Sequence, residues 1–372
     1  MIQIKTPRKD LRNAFDRVSA ASGTTQEALD SHVVFRVQQG KVTLHTINQQ
    51  IMASSPLINP DVEGDGMFTV EAKRLKQWLT AVTSDNIEIQ FDKGVVVARA
   101  DRGKATFPSL DPQNYPFWDS LLVDAAPAYV ISQTRLVQAL QYSKPYIYDQ
   151  ETKSPDICVT EIKGGILFAT NRSALARVKL DGMGSSTLRV FGKDVPAILS
   201  FLSHAEADED IQIREHSRAI FFTLADGSQF CESRAQKEFP TLGDMNDAAL
   251  VTLRFNAEDI QKGLMFVQSA ADWKDTRLTL RCDDGKVYFK MRNAAIAGST
   301  ETAVPAEVQD GSDDMKEGVT IHLPSFKSYV NAHPHKEIVI SYHRAPQGRI
   351  GYFSSSFGLG VDNFMLSLVC QR

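Results

Sequence analysis

The sequence predicts an α+β chain built from one module used three times, each copy being two helices laid on one face of antiparallel sheet. Three observations carry this prediction: six amphipathic helix stripes in a fixed order, a hairpin with a turn glycine after the first helix of each copy, and a closing strand with the same alternation every time. At 372 residues the chain is too long for one ordinary core. The copies lie about a third of the chain apart, and domains are expected at 1–122, 123–248 and 249–372.

Each copy opens on a short alternating strand, with Ile2 and Ile4, Tyr129 and Ile131, and Leu253 and Phe255 on one face. The first helix follows. Its apolar stripe is Leu11, Ala14, Phe15 and Val18, then Leu136, Ala139 and Leu140, then Ile260, Gly263, Leu264 and Val267. Next come the hairpins VVFRVQQGKVTLHTIN around Gly40, DICVTEIKGGILFATN around Gly165 and RLTLRCDDGKVYFKMRN around Gly285. The second helix carries Leu75, Trp78, Leu79 and Val82 within 71–83, then Val195, Ile198, Leu199 and Leu202, then Phe326, Tyr329 and Val330. Closing strands NIEIQ, DIQIR and EIVIS place Ile87 and Ile89, Ile211 and Ile213, and Ile338 and Ile340 on one face. One stripe alone says little; six in order with matching strands define a repeat.

Two copies end in an aromatic-proline pair, Tyr115-Pro116 in FPSLDPQNYPFW and Phe239-Pro240 in SRAQKEFPTL, which puts linkers near 119–127 and 244–250. The acidic run from Glu206 to Asp210 reads as a solvated loop.

Composition limits the function classes. With 42% hydrophobic residues the chain can bury its cores, yet no apolar run approaches the roughly 20 residues of a membrane span. MIQIKTPRKD has no apolar signal region, and Cys158, Cys231, Cys282 and Cys370 stand far apart without a CxxC pair. Neither a zinc site nor a disulfide framework is indicated, no cofactor is expected, and a reducing cytoplasm fits, the host's if a phage encodes the chain. The net charge of −4 leaves room for a local basic surface.

Such a surface lies on the helices. The fourteen-residue windows starting at 7, 71, 132, 191, 256 and 322 hold twice as many Lys and Arg as Asp and Glu, although the whole chain is acidic. A basic face on an acidic body suits a polyanion held through its phosphates without base reading. The candidates are Arg8, Lys9, Arg12, Arg17, Lys73, Arg74 and Lys76 in the first copy, with Arg135, Lys193, Lys262 and Lys327 in the others. For any single residue, a solvated helix face is an equally good reading.

Through VEAKRLKQWL followed by FPSLDPQNYP, FATNRSALA and SRAQKEFPTL, the chain resembles the bacterial-type β sliding clamps, the DNA polymerase III beta subunit family, over its whole length. The resemblance implies a head-to-tail homodimer whose six domains close a ring around duplex DNA, helices inside and sheets at the rim. It implies as partners a replicative DNA polymerase and a clamp loader. It further implies an apolar pocket between the second and third domains where partner peptides dock. Thr170, Arg172, Ser173 and Leu175 would line its turn, Pro240 and Met245 its side, and Met365, Leu368 and Val369 its closing strand. Here the chain departs from the family: Arg172 and Ala174 replace glycine and basic residues, and LSLVCQR replaces a Met-Pro-Met type ending. The peptide preference is therefore open, and Leu175, Met365 and Leu368 can also be read as core. Similarity points to a subunit contact in which the strand around Ala105 and Phe107 of the first domain meets the third domain near Val267.

No catalytic motif stands out, so a non-catalytic processivity subunit is expected. There is no GxxxxGK followed by Ser or Thr, no HExxH and no GxSxG; Gly358-Leu-Gly360 lacks the rest of a dinucleotide fingerprint, and His333-Pro-His335 lacks partner ligands. The alternatives are a Mg-dependent DNA-processing hydrolase using Asp208 and Asp210, a non-ring DNA-binding scaffold, or a processivity factor that assembles as a trimer.

Overall fold

Helices and strands follow one another in the expected order. The computed structural model describes residues 1–372 except 24–28, 102, 173, 181–183, 185–186, 206–207, 242–247, 270–275, 294–297, 310, 334, 345–350, 360–361 and 371–372, and beyond 355 it describes the backbone alone. The first copy runs β1 (Ile2–Pro7), α1 (Arg8–Ser19), β2 (His32–Gln38), β3 (Lys41–Asn48), β4 (Ile51–Pro56), β5 (Asp61–Glu63), β6 (Gly66–Glu71), α2 (Ala72–Ala81), β7 (Asn86–Asp92), β8 (Val95–Ala100) and β9 (Gly103–Pro108). A short α3 (Asp119–Val123) leads into β10 (Ala126–Ser132), α4 (Gln133–Ser143), β11 (Val159–Lys163), β12 (Ile166–Thr170), β13 (Ala174–Lys179), β14 (Thr187–Phe191), α5 (Val195–Leu202), β15 (Asp210–Glu215), β16 (Ala219–Thr223) and β17 (Gln229–Ser233). The third copy is β18 (Val251–Asn256), α6 (Ala257–Ser269), β19 (Arg277–Asp283), β20 (Lys286–Asn293), β21 (Gly298–Val304), β22 (Ala306–Gln309), β23 (Val319–His322), α7 (Leu323–Ala332), β24 (Glu337–Arg344), β25 (Gly351–Leu359) and β26 (Asp362–Cys370).

The stripes are buried. Leu11, Ala14, Phe15 and Val18 of α1 and Leu136, Ala139 and Leu140 of α4 are all within the core, as are Ile260, Leu264 and Val267 of α6. Two stripes differ in detail. On α5, Phe201 is buried and Leu199 is not; on α2, Trp78 is only half-buried, and the helix stops at Ala81, so that Val82 lies beyond it in extended backbone. The end of α2 is held by Arg8, whose Nη1 donates to the Val82 carbonyl at 3.0 Å and satisfies an acceptor the helix leaves open. Between β2 and β3, Gln39 and Gly40 both have positive φ (53° and 71°), as do Asp284 and Gly285 between β19 and β20. That is the turn whose twist matches a hairpin.

Contacts gather into two compact units, Met1–Leu140 with Asp181–Gln236, and Gln141–Leu180 with Lys237–Arg372. The first contains the antiparallel sheet β5-β1-β7-β8-β9 and the sheet β10-β15-β16-β17-β4-β3-β2-β6. In the latter, β17 of the second copy pairs with β4 of the first, Phe230 opposite Ala53. The second unit contains β21-β20-β19-β23 and the run β11-β12-β13-β26-β25-β24-β18-β22. There β26 of the third copy pairs with β13 of the second, Leu366 opposite Ala176. Each unit thus holds one sheet shared by successive copies.

The first linker is not a bare spacer. Residues 119–123 form α3, and Phe117, Trp118, Leu121 and Leu122 pack beside Tyr115 onto Val34, Met52, Ala219, Phe221 and Cys231 of the shared sheet. A segment this apolar gains more from burial than from solvent. Of the second linker, 244–247 lie outside the described residues. In the acidic run, Asp208 accepts a hydrogen bond from Thr134 Oγ1 at 3.0 Å, beside the start of α4. Among the described residues no group of three or more His, Cys, Asp or Glu could hold a metal ion, and no helix is long and apolar enough to cross a membrane.

Candidate functional site

The basic helix positions divide into three kinds. Lys9, Lys73 and Lys76 are exposed and make no ion pair among the described residues. Arg12 pairs with Asp16 at 3.5 Å, Arg74 with Glu71 at 2.5 Å and Lys262 with Glu258 at 2.6 Å, all within one helix turn of their partners. Such exposed, solvent-screened pairs are weak, so each cation is readily drawn to another anion. Lys193 lies 5.2 Å from the centre of the Phe191 ring, and Lys327 Nζ donates to Gln268 at 3.3 Å. Arg8 and Arg135 are only half exposed, Arg8 being committed to the end of α2.

Arg17 is a correction. Its side chain is only 15% exposed, ion-pairs with Asp226, and donates through Nη2 to the His204 carbonyl at 3.2 Å, just past α5. It therefore bolts α1 of the first copy to the second copy and is not a free cation. Beside it, Ser55 of β4 and Ser228, just before β17, share a buried hydrogen bond of 2.9 Å.

Position within the repeat explains this. Arg17 stands six residues after Leu11, as Tyr142 stands six after Leu136 and Phe266 six after Ile260. Tyr142 is buried with its ring 5.5 Å from Tyr146, and burial, together with the Tyr146 and Tyr329 hydroxyls, raises its pKa well above the usual range. Tyr329 belongs to α7 of the next copy. So one helix position meets the second helix of the following copy at both junctions inside the chain. In the third copy the same position is uncovered: Phe266 is 54% exposed beside Met265 at 70%.

Val267 itself is fully buried, and the neighbouring Met265 and Phe266 stand exposed on the opposite side of α6. Gly263 lets this helix lie close to β21, since a Cβ there would sit 2.5 Å from Val304 Cγ2. Strand β21 is the counterpart of β4 and β13, and its far edge has no neighbour among the described strands. Strand β9, the counterpart of β17 and β26, is likewise an edge. Ala105 lies in β9 opposite Ala98, itself opposite Ile89; the same steps from Ile213 lead through Phe222 to Phe230, which faces Ala53 across the filled junction. Ala105 is half buried, and Phe107 is 7% exposed and packs into its own sheet opposite Val96.

The turn from β12 to β13 is tightly held. Thr170 Oγ1 donates to the Ala174 carbonyl at 2.8 Å, the Ala174 N–H donates to Asn171 Oδ1 at 2.9 Å, and Asn171 Nδ2 donates to Ser325 Oγ of α7 at 3.2 Å. Arg172 has φ +73°, its N–H donates to Thr170 Oγ1 at 3.2 Å, and its guanidinium lies 5.2 Å over the Tyr148 ring while Nη2 donates to Ser154 Oγ. Tyr148 and Ser154 belong to this site although the sequence offered no pattern pointing to them. Leu175 is 5% exposed and is core, and Pro240 is exposed. In β26, Leu368 lies opposite Ala174, Met365 opposite Arg177 and Val369 opposite Tyr352. Ser173 and Met245 lie outside the described residues.

No protein-family model matches the chain, and no curated protein is significantly similar to it in sequence. Solved structures do match over the full length. The DNA polymerase III subunit beta of Pseudomonas aeruginosa is 16% identical with a TM-score of 0.84, covering 100% of both chains. The DNA polymerase sliding clamp of Bacillus subtilis is 14% identical with a TM-score of 0.81, covering 100% of this chain and 99% of its own. The beta subunit of Thermotoga maritima DNA polymerase III is 11% identical with a TM-score of 0.82, again over 100% of both. Divergent as it is in sequence, the chain has the fold of the sliding-clamp beta subunits.

Proposed function

We propose that this chain is a DNA sliding clamp, a non-catalytic processivity factor that encircles duplex DNA and tethers a replicative polymerase. Three clamp domains, 1–122, 123–248 and 249–372, form each subunit, and two subunits join head to tail. One observation carries the reading: β4 with β17 and β13 with β26 fill two equivalent junctions, whereas β21 and β9 remain open. A second copy of the chain supplies the missing partner for each open edge, and head-to-tail contacts that close make a ring. In that ring β9, centred on Ala105, pairs with the partner's β21, and Met265 and Phe266 meet the partner's α2.

The basic helix faces then hold DNA by its phosphates. Phosphate contacts give no preferred position along a duplex, so the ring slides. The turn carrying Thr170 and Arg172, with the adjoining β26, is the place where peptides of the polymerase and clamp loader dock.

Retention on circular against linearised plasmid, after loading and at a salt concentration that strips ordinary electrostatic binders, tests the ring. The clamp stays on the circle and runs off the linear ends. Equal loss from both, with a mass in solution of one chain, overturns the proposal.

A further inference from the structure

We infer that Arg172 sets the chemistry of the docked peptide, accepting a carboxylate side chain of the partner protein; this rests on the docking reading above. The residue sits at φ +73°, in backbone that favours glycine, so a long charged side chain here is strained. The strain is held by a rigid turn. Hydrogen bonds from Thr170, Asn171 and Ala174 lock the loop, and Asn171 ties it to Ser325 on α7.

The guanidinium is fixed as well. It stacks 5.2 Å over Tyr148 and donates to Ser154 Oγ, a residue only 4% exposed. Among the described residues it has no carboxylate partner, although Asp149, Glu151 and Asp156 are near enough to Cys158 to help raise its thiol pKa, after burial. A guanidinium has five N–H donors, and Ser154 uses one of them. An ordered, exposed, planar fork with donors to spare is preorganised for bidentate pairing with a carboxylate, because little freedom remains to be lost on binding. A lysine of the peptide at the same point is repelled.

The test uses the full-length protein and fluorescence anisotropy with one labelled apolar hexapeptide, made with Asp, Asn or Lys at each position in turn. At one position the Asp peptide binds about tenfold tighter than the Asn peptide. Arg172→Gly, a substitution suited to the positive φ, brings that ratio below about twofold while the Asn peptide keeps its affinity. Arg172→Glu reverses the order, Lys above Asp. An Asp preference that survives Arg172→Gly, or equal binding of Asp and Asn peptides by the wild type, overturns the inference and leaves docking standing. Failure of every peptide to bind overturns both.

Discussion

Phe266→Ala is the substitution that tests ring closure most directly. A phenylalanine side chain offers about 200 Å², and at 54% exposure roughly 100 Å² of Phe266 is still open to solvent in the single chain. If the partner's α2 covers that area, its loss costs roughly 2.5 kcal/mol at about 25 cal/mol per Å². A closed dimer has two such junctions, so dimerisation weakens by about 5 kcal/mol, between a thousandfold and ten-thousandfold in Kd. Sedimentation velocity across a nanomolar to micromolar dilution series reads this as dimer turning into monomer. Thermal stability of the monomer stays unchanged, because the ring lies outside the core. Val267→Ala supplies the contrast: a fully buried side chain is cut back, so Tm falls through the lost burial and the cavity left behind. Retention of wild-type Kd within threefold by Phe266→Ala would refute the assignment of this helix face to the subunit contact.

Two further outcomes follow from single residues. Replacing Lys9, Lys73 and Lys76 by Ala should flatten the salt dependence of DNA retention by roughly 0.9 in log–log slope per lost phosphate contact. Arg17→Ala should instead leave that slope alone and lower stability by only about 1 kcal/mol, since Asp226 and the His204 carbonyl are exposed and water replaces the lost contacts. His45 provides a pH test. Its ring packs 5.0 Å from Phe117 and 6.4 Å from Tyr115, and burial lowers its pKa to about 4 from an ordinary 6.5. The unfolded chain takes up the proton at higher pH than the native one, so stability is full above pH 6.5 and falls as pH drops towards 4, by roughly 3 kcal/mol in all. Urea unfolding of wild type and His45→Leu at pH 7 and pH 4.5 should show most of that loss only in the wild type; parallel curves would show that His45 is not buried neutral.

The parts of the fold readable in the sequence were those set by local rules. Helix stripes follow from a 3.6-residue period, and the glycine turns follow from the positive φ that Gly40 and Gly285 adopt. What escaped reading depends on partners far along the chain. Arg17 looks like any solvated arginine until Asp226 is brought beside it, and Arg172 acquires its meaning only from Tyr148 and Ser154. Leu264 to Val267 is an unbroken apolar run, so hydrophobicity alone cannot say which residues face outward. The period can: Ile260, Leu264 and Val267 define the inner stripe, which leaves Met265 and Phe266 outside. The same geometry makes Leu175 a poor probe of docking, because an acidic residue at a site 5% exposed unfolds the sheet before it informs on a peptide.

The three equivalent positions Arg17, Tyr142 and Phe266 carry three different chemistries, and the ring proposed here gives a reason. The first two junctions form within one chain, where a shared sheet and covalent connection keep the surfaces at high effective concentration. They need no large driving force from one residue, and a polar bolt at Arg17 or a buried tyrosine cluster at Tyr142 suffices. In the proposed ring the third junction forms between separate molecules and must offset the lost freedom of association. Burial of Met265 and Phe266 supplies that without an interfacial charge to desolvate. In the proposed ring it is also the junction held by noncovalent contacts alone, so it is the one expected to separate first.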